Sequence, residues 1–152
     1  MTAASSERSA WAGHALERLS QAGFRSGGAR RAVVELLGRQ SCCLTAQQIF
    51  EAVRAEGRPV GIASVYRVLD LLSEQRLVQR VDVGGATARY ELALPTGEHH
   101  HHVVCDDCGK VEAFSDERLE HAIHTLARRV GYRVEAHDVV LRGACDDCRS
   151  DG

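Results

Sequence analysis

Four cysteines arranged in two pairs could bind a metal ion. Cys105 and Cys108 form one CxxC pair, Cys145 and Cys148 form another, and 36 residues separate the two pairs. Together they supply four thiolates, the donor set of a closed tetrahedral zinc site. Such a site has no open coordination position, so we expect this zinc to stabilise the fold and to take no part in a reaction.

Four consecutive histidines, His99 to His102, lie just before the first cysteine pair. Imidazole nitrogens are ligands for zinc, copper, iron and nickel. Side chains alternate along a strand, so an extended run sends its even-numbered histidines to one face and its odd-numbered histidines to the other. The run therefore predicts two separate donor sets.

Other side chains could complete each donor set. Glu91, near the end of a predicted hairpin, could reach the even-numbered histidines. Glu120 on a predicted helix and His137 on a predicted strand could join the odd-numbered ones. A permanent metal and an exchangeable metal in one chain indicate a sensor.

Other interpretations of these residues are open. The cysteines could form two disulfides or a redox pair, and the histidines could be a purification tag or a solvated turn. Paired CxxC motifs at this separation favour zinc, and a tag would lie at a terminus. The chain shows neither an apolar signal segment nor a run approaching the ~18 apolar residues of a membrane helix. We expect a reducing, cytoplasmic compartment, where thiols persist as metal ligands.

Charge divides the chain into two unlike parts. Residues 1–88 carry eleven arginines and eight acidic residues, whereas residues 89–152 carry eight basic and thirteen acidic residues. The second part also holds seven of the eight histidines. The charges indicate two functions: the basic part could bind phosphate groups, and the acidic part, rich in metal donors, could bind metal.

Helical periodicity followed by strand alternation predicts a winged helix-turn-helix in the first part. Helices are expected over residues 11–21, 30–39, 46–56 and 62–75, with Thr45 and Gln48 forming a capping box at the third. Residues 77–83 and 88–92 alternate around Gly84-Gly85 and predict a β-hairpin. Three short helices and a ribbon also occur in domains with no nucleic-acid role. Residues 1–10 are polar and small, and we expect them to be disordered.

A small α+β domain is predicted to follow. We expect a DNA-binding domain over residues 1–93, a hinge at 94–98, and a ββαβ domain over 99–152. Its strands are predicted at 99–104, 110–114 and 133–141, with a helix at 116–130 capped by Ser115 or Asp116. A domain of so few residues has a small core. We therefore expect a structural metal, a dimer interface or both to stabilise this domain.

Several motifs, taken together, resemble the ferric uptake regulator (Fur) family of bacterial metal-dependent repressors. The resemblance extends from about residue 15 to 148. It is carried by Ala63-Ser-Val-Tyr-Arg67, by Tyr90-Glu91, by the histidine run leading into Cys105-Asp-Asp-Cys108-Gly-Lys-Val111, and by His137 before Cys145-Asp-Asp-Cys148.

The resemblance implies a homodimer that binds double-stranded operator DNA through an N-terminal winged helix. It implies a structural zinc at the four cysteines and a regulatory metal that bridges the two domains. By position, the regulatory ligands are Cys43, Glu91, His100 and His102. A further site would use His99, His101, Glu120 and His137. The expected DNA contacts are Arg25, Ser64, Tyr66 and Arg67.

Departures from the family pattern affect the metal. Cys43 stands where iron- and peroxide-sensing members usually have histidine, and His101 stands where aspartate is usual. Ala113 replaces a frequent glutamate ligand, with Glu112 one residue earlier. A further departure, Ser26-Gly-Gly-Ala-Arg30 in place of the usual Thr-Pro-Gln-Arg turn, does not concern the metal. A thiolate with nitrogen donors suits Zn²⁺ better than Fe²⁺ or Mn²⁺. Zinc-responsive control of metal uptake genes is therefore expected, with iron or peroxide control as the alternative.

Two other classes of function are weaker interpretations. A zinc hydrolase would need an open metal position, a bound water and a general base such as Glu91 or Glu120. The chain has no H-E-x-x-H motif, and its basic half would have no role in such an enzyme. The other class is a zinc-ribbon adaptor that binds only protein, which metal-dependent DNA retardation would exclude.

Four candidate residues have no assigned role. Cysteine is commonly a small buried hydrophobe, so Cys42 could simply fill the core. The other three are His14, His121 and His124.

Overall fold

The chain divides into two compact units in the computed structural model, which describes residues 3–95 and 99–149. The first unit is Met1–Glu98 and the second is His99–Gly152. Residues 96–98 of the expected hinge lie outside the described part. Among the described residues, no helix has the length and apolar character needed to cross a bilayer.

The first unit is a winged helix preceded by an additional helix. The elements are α1 (Ala3–Gln21), α2 (Gly28–Arg39), β1 (Leu44–Thr45), α3 (Ala46–Ala55), α4 (Ile62–Glu74), β2 (Val78–Val81) and β3 (Arg89–Leu92). The sheet has the strand order β1-β3-β2, and both pairings are antiparallel. The predicted helix-turn-helix and wing are confirmed, since the helices α2, α3 and α4 are followed by the β2-β3 hairpin.

One apolar core holds these elements together. Each of the four helices turns an apolar stripe inward, as its 3.6-residue periodicity predicts. Trp11 lies in this core, and its indole Nε1 donates a hydrogen bond to the Leu77 carbonyl at 3.2 Å. This bond ties α1 to the residue that leads into the wing. The largest fully buried side chains of the unit are Trp11, Leu19, Leu37, Ile49, Leu69 and Leu72.

The expectation of disorder over residues 1–10 is wrong for residues 3–10. The helix α1 begins at Ala3, eight residues before the predicted start. The Arg8 Nη1 of this extension donates to the Gln40 carbonyl at 3.0 Å. The helix also passes close to Gly38, where an added Cβ would lie 3.7 Å from the Arg8 carbonyl oxygen and 3.1 Å from the Ala12 Cβ. A sequence that is polar and small gives no sign of such long-range anchoring.

The predicted capping box is present at the start of α3. The Thr45 hydroxyl accepts from the Gln48 N–H at 3.1 Å, and the Gln48 side chain accepts from the Thr45 N–H at 2.9 Å. Thr45 also belongs to β1, which pairs with β3 and was not predicted. Two residues are too few for strand alternation to be visible in a sequence.

The second unit contains the predicted ββαβ order. Strands β4 (His101–Cys105) and β5 (Val111–Phe114) are followed by α5 (Glu117–Arg129) and β6 (Val140–Gly143). The sheet order is β5-β4-β6, in which β4 pairs antiparallel with β5 and parallel with β6. Asp116 caps α5, because its carboxylate accepts from the Leu119 N–H at 2.9 Å.

Two predicted strands are longer than those observed, for one reason. The strand expected at 133–141 begins only at Val140, and the strand expected at 99–104 begins at His101. The parallel ladder starts with His102 opposite Val140. A strand needs a hydrogen-bonding neighbour, so residues before this point alternate in sequence without joining the described sheet.

Removal of the α3 cap should weaken the first unit. Thr45→Ala deletes the hydroxyl that satisfies the Gln48 N–H, and we expect a loss of about 1 kcal/mol in the free energy of unfolding. Urea denaturation followed by the fluorescence of Trp11, the one tryptophan of the chain, reports on this unit. The exposed Gln47→Ala on the same helix is the control and should change stability by less than about 0.5 kcal/mol. Equal stability of Thr45→Ala and wild type would contradict the role of the cap.

Candidate functional site

The four cysteines converge at one end of the second unit. Cys105 is the last residue of β4 and lies opposite Gly143 of β6, so Cys145 follows two residues beyond the pairing. The Cys108 and Cys145 sulfurs are 3.8 Å apart. All four Sγ atoms lie within 4.8 Å of one another, which is a grouping that one tetrahedral zinc ion could share.

Backbone groups favour the thiolate form of Cys105 in this cluster. The Cys145 N–H donates to the Cys105 sulfur at 3.3 Å. Backbone hydrogen bonds, from Cys108 first and then from Cys145, lower the pKa of the Cys105 thiol to about 6. Gly109 has a φ of +76° and closes the knuckle by donating to the Cys105 carbonyl at 2.9 Å. The donor set and its backbone support fit a structural zinc.

A second donor cluster joins β4, α5 and the segment before β6. It contains His99, His101, Glu120 and His137, whose donor atoms lie within 4.8 Å of one another. His137 Nε2 lies 2.7 Å from one carboxylate oxygen of Glu120 and 3.2 Å from His99 Nε2. The structure thus brings together the four residues proposed for the additional site.

The orientation of His101 is fixed by the backbone. The Val139 N–H donates to His101 Nδ1 at 3.2 Å, which turns Nε2 toward Glu120 at 2.5 Å. The hydrogen bond with His101 lowers the pKa of the Glu120 carboxyl, and His137 acts in the same direction. Three imidazoles around an ionised carboxylate are a donor set suited to Zn²⁺ and similar ions.

Cys43 and Glu91 are neighbours in the first unit. Leu44 pairs with Tyr90 in the antiparallel β1-β3 ladder, so the residues one step further along are Cys43 and Glu91. Both side chains are buried. The Glu91 carboxylate accepts from Gln79 Nε2 at 2.6 Å. Hydrogen bonding with Cys42, then burial and the charge of Glu91, raise the pKa of the Cys43 thiol.

The even-numbered histidines belong to the second unit. His100 immediately precedes β4, and His102 is its second residue, opposite Ala113 of β5 and Val140 of β6. The His102 backbone N–H donates to the Val139 carbonyl at 3.1 Å. The backbone of His102 is therefore held by both neighbouring strands.

The expected DNA-contact residues lie along α4 and before α2. Tyr66 is 49% exposed, and Arg67 Nη2 donates to the Ser64 hydroxyl at 3.1 Å. Arg25 and Arg67 line one open cavity of about 480 Å³. Sequence reasoning missed part of its wall, namely Ser26, Gly27, Ala29, Arg30 and Val68. The proximity of two arginines in the sequence, at 25 and 30, was the available signal.

The remaining histidines have different surroundings. His121 and His124 are exposed on α5, although the His124 ring lies 6.1 Å from the His137 ring. His14 is half-buried and lines a cavity of about 260 Å³ beside Trp11 and Leu94. None of the three belongs to a donor cluster among the residues that the structure describes.

A winged helix that exposes Tyr66 and Arg67 on α4, followed by a domain of clustered metal donors, is the arrangement of a metal-responsive regulator. The ferric uptake regulator family profile matches residues 21–142. The chain is 34% identical over 134 residues to the ferric uptake regulation protein of Legionella pneumophila, covering 88% of this chain and 97% of that protein. It is 30% identical over 138 residues to that of Neisseria gonorrhoeae, covering 90% and 94%.

Solved structures agree with the sequence relatives. The ferric uptake regulator Fur of Helicobacter pylori, which has three functional metal binding sites, superposes with a TM-score of 0.78. The two chains are 27% identical, and the match covers 93% of this chain and 96% of that one. The chain therefore belongs to the ferric uptake regulator family.

Loss of one thiolate should empty the four-cysteine cluster. We expect Cys148→Ser to lose about one zinc per chain and to unfold the second unit at lower temperature, because structural zinc energy is folding energy. Elemental analysis after removal of weakly held metal, together with circular dichroism melting, measures both effects.

Asp147→Ser changes an exposed residue inside the same knuckle and keeps all four thiols, so it should retain the zinc. Full zinc and an unchanged melt in Cys148→Ser would show that the cluster is not a structural zinc site.

Proposed function

We propose that this protein is a metal-dependent transcriptional repressor that binds operator DNA as a homodimer in the cytoplasm and controls metal uptake genes. The observation that carries the proposal is the presence, in one family member, of a basic winged helix and of separate metal-donor clusters. Membership of a family of regulators also supports a regulatory function over the hydrolase alternative.

Zinc at Cys105, Cys108, Cys145 and Cys148 is proposed to be structural. Its role would be to hold the end of β4 against the residues after β6, because all four thiolates are taken up by one ion. Because this ion has no open coordination position, metal sensing would use the other donor residues.

The regulatory ion is proposed to take ligands from both units. Cys43 and Glu91 would come from the first unit, and His100 and His102 from the second. An ion with ligands on two units changes the free-energy difference between their arrangements, so metal binding and DNA binding become linked. The linkage requires that DNA tightens metal binding as much as metal tightens DNA binding.

His99, His101, Glu120 and His137 are proposed as an additional metal site within the second unit. The short distances among their donor atoms support it, and the Helicobacter pylori relative has three functional metal sites. This ion would join α5 to β4 and to the segment before β6. Its expected contribution is to the stability of the second unit.

The α4 helix is proposed to enter the major groove. The exposed Tyr66 and Arg67 would face the base edges, Ser64 would orient the Arg67 guanidinium, and Arg25 would approach the minor groove. The surplus of arginine over acidic residues in residues 1–88 favours approach to phosphate.

Dimerisation is proposed to use the second unit. Its α5 helix, the segment after α5 and β6 leave large apolar side chains in contact with solvent, which is costly in a monomer. A second copy that covered them would add to a core too small to be stable alone. The exposed apolar residues are Leu126, Val130, Tyr132, Val134 and Leu141.

Zinc is the proposed regulatory metal, with iron or manganese as the alternative. The Cys43 thiolate supports zinc, because a softer donor favours Zn²⁺ over Fe²⁺ and Mn²⁺. The names of the sequence relatives, which refer to ferric uptake, support iron. Fe²⁺ therefore has to be compared directly with Zn²⁺ in every binding test.

Arg67→Ala should weaken sequence-specific DNA binding. We expect a cost of roughly 1–3 kcal/mol on the selected duplex and a local loss of specificity, because a base-contacting arginine is removed. Fluorescence anisotropy at fixed salt, with a duplex selected from a random pool by the metal-loaded protein, gives the affinity.

Arg129→Ala, which removes the same charge from α5, is the control and should bind DNA as wild type does. Wild-type affinity and specificity in Arg67→Ala would contradict the assignment of α4 as the recognition helix.

His102→Ala should uncouple metal from DNA. We expect the four-cysteine zinc and the dimer to remain, while metal no longer tightens DNA binding. The exposed His121→Ala is the control and should respond as wild type. Anisotropy titrations with and without added Zn²⁺, checked by size-exclusion chromatography, measure this. A wild-type metal response in His102→Ala would remove it from the regulatory set.

A further inference from the structure

Cys42 and Cys43 form a close pair of thiols in the first unit. Their sulfurs are 3.8 Å apart, far beyond the ~2.05 Å of a disulfide bond, so the two cysteines are not joined by a disulfide. Cys43 is buried, and Cys42 is half-buried. Both side chains therefore point to the same side of a two-residue segment that leads into β1.

The separation of these sulfurs is that of two ligands on one ion. Two thiolates at ~2.3 Å from a tetrahedral zinc lie ~3.8 Å from each other. The chain itself offers a comparison, because Cys108 and Cys145 in the four-cysteine cluster are also 3.8 Å apart. The Cys42 thiol donates a hydrogen bond to the Cys43 sulfur at this distance, so the pair is already held at the separation that two ligands of one ion require.

A carboxylate lies next to the pair. Cys43 immediately precedes Leu44, which pairs with Tyr90, and the charge of Glu91 acts on the Cys43 thiol, so the first unit alone supplies two sulfurs and a carboxylate. Gln79 holds the Glu91 carboxylate with a hydrogen bond of 2.6 Å. Glu91 therefore lies on paired backbone of the sheet, and the two cysteines lie in the segment directly before β1.

We propose that Cys42 is a second thiolate ligand of the regulatory ion, beside Cys43. This inference rests on the proposed regulatory site and determines its selectivity. Two thiolates make the donor set softer than one thiolate with imidazoles, so the site takes Zn²⁺ in preference to Fe²⁺ and Mn²⁺. Cys42 is then a residue that sets metal specificity.

Cobalt absorption spectroscopy counts the sulfur ligands. The full-length dimer, with the four-cysteine cluster filled by zinc, is titrated with Co²⁺, and the sulfur-to-cobalt charge-transfer band is measured per bound cobalt. Cys42→Ser should lower this band by about half, since one of two thiolates is lost, and should weaken Zn²⁺ binding at least tenfold. The exposed neighbour Ser41→Ala should match wild type in both.

Alkylation of the wild-type protein gives a second measurement that needs no substitution. Bound Zn²⁺ should protect Cys42 from iodoacetamide, as judged by mass spectrometry of the peptide. Cys42 that reacts equally with and without zinc would overturn the proposal, even if Cys42→Ser does not fold.

The outcomes separate this inference from the proposed function. If Cys43→Ser removes the cobalt band while Cys42→Ser leaves the wild-type band and affinity, the regulatory site stands and Cys42 is not a ligand. If Cys43→Ser and His102→Ala both bind cobalt as wild type does, the regulatory site itself is wrong, and this inference falls with it.

Discussion

The parallel pairing of β4 with β6 determines where the metal donors of the second unit lie. The register sets Cys105 opposite Gly143, which places Cys145 beside the first cysteine pair. At the other end of the ladder, the Val139 N–H orients His101, and His137 lies two residues before Val139. Zinc at the four cysteines would hold the same pairing closed, so the structural metal would position the ligands of a second metal.

The first unit has a separate support for its donors. One apolar core that includes Trp11 joins the helices, and the short β1 strand pairs with β3, which places Cys43, just before β1, near Glu91. The capping box at Thr45 starts α3 immediately after β1. The helix therefore begins three residues after Cys43. DNA-contact residues on α4 and metal donors before β1 are thus built on one packed scaffold.

Sequence reasoning recovered the features that have local causes. The capping box, the hairpin glycines, the helical stripes and the CxxC pairs each show in a few neighbouring residues, and the ββαβ order followed from them. What it missed depends on distant partners. The extension of α1 to Ala3 needs Gln40 and Gly38, the two-residue β1 needs β3, and the late start of β6 at Val140 needs the start of β4. The short distance between the Cys42 and Cys43 sulfurs depends on side-chain rotamers, which the spacing of residues in a sequence does not predict.

The central claim is that one ion beyond the structural zinc makes the protein competent for DNA. Elemental analysis combined with DNA anisotropy, after that ion is removed by a mild chelator and each metal is added back, tests it most directly. The account predicts one retained zinc per chain without DNA binding, and recovery of binding as the added Zn²⁺ reaches the regulatory site. Equal DNA affinity before and after removal, with only the four-cysteine zinc present, would contradict it.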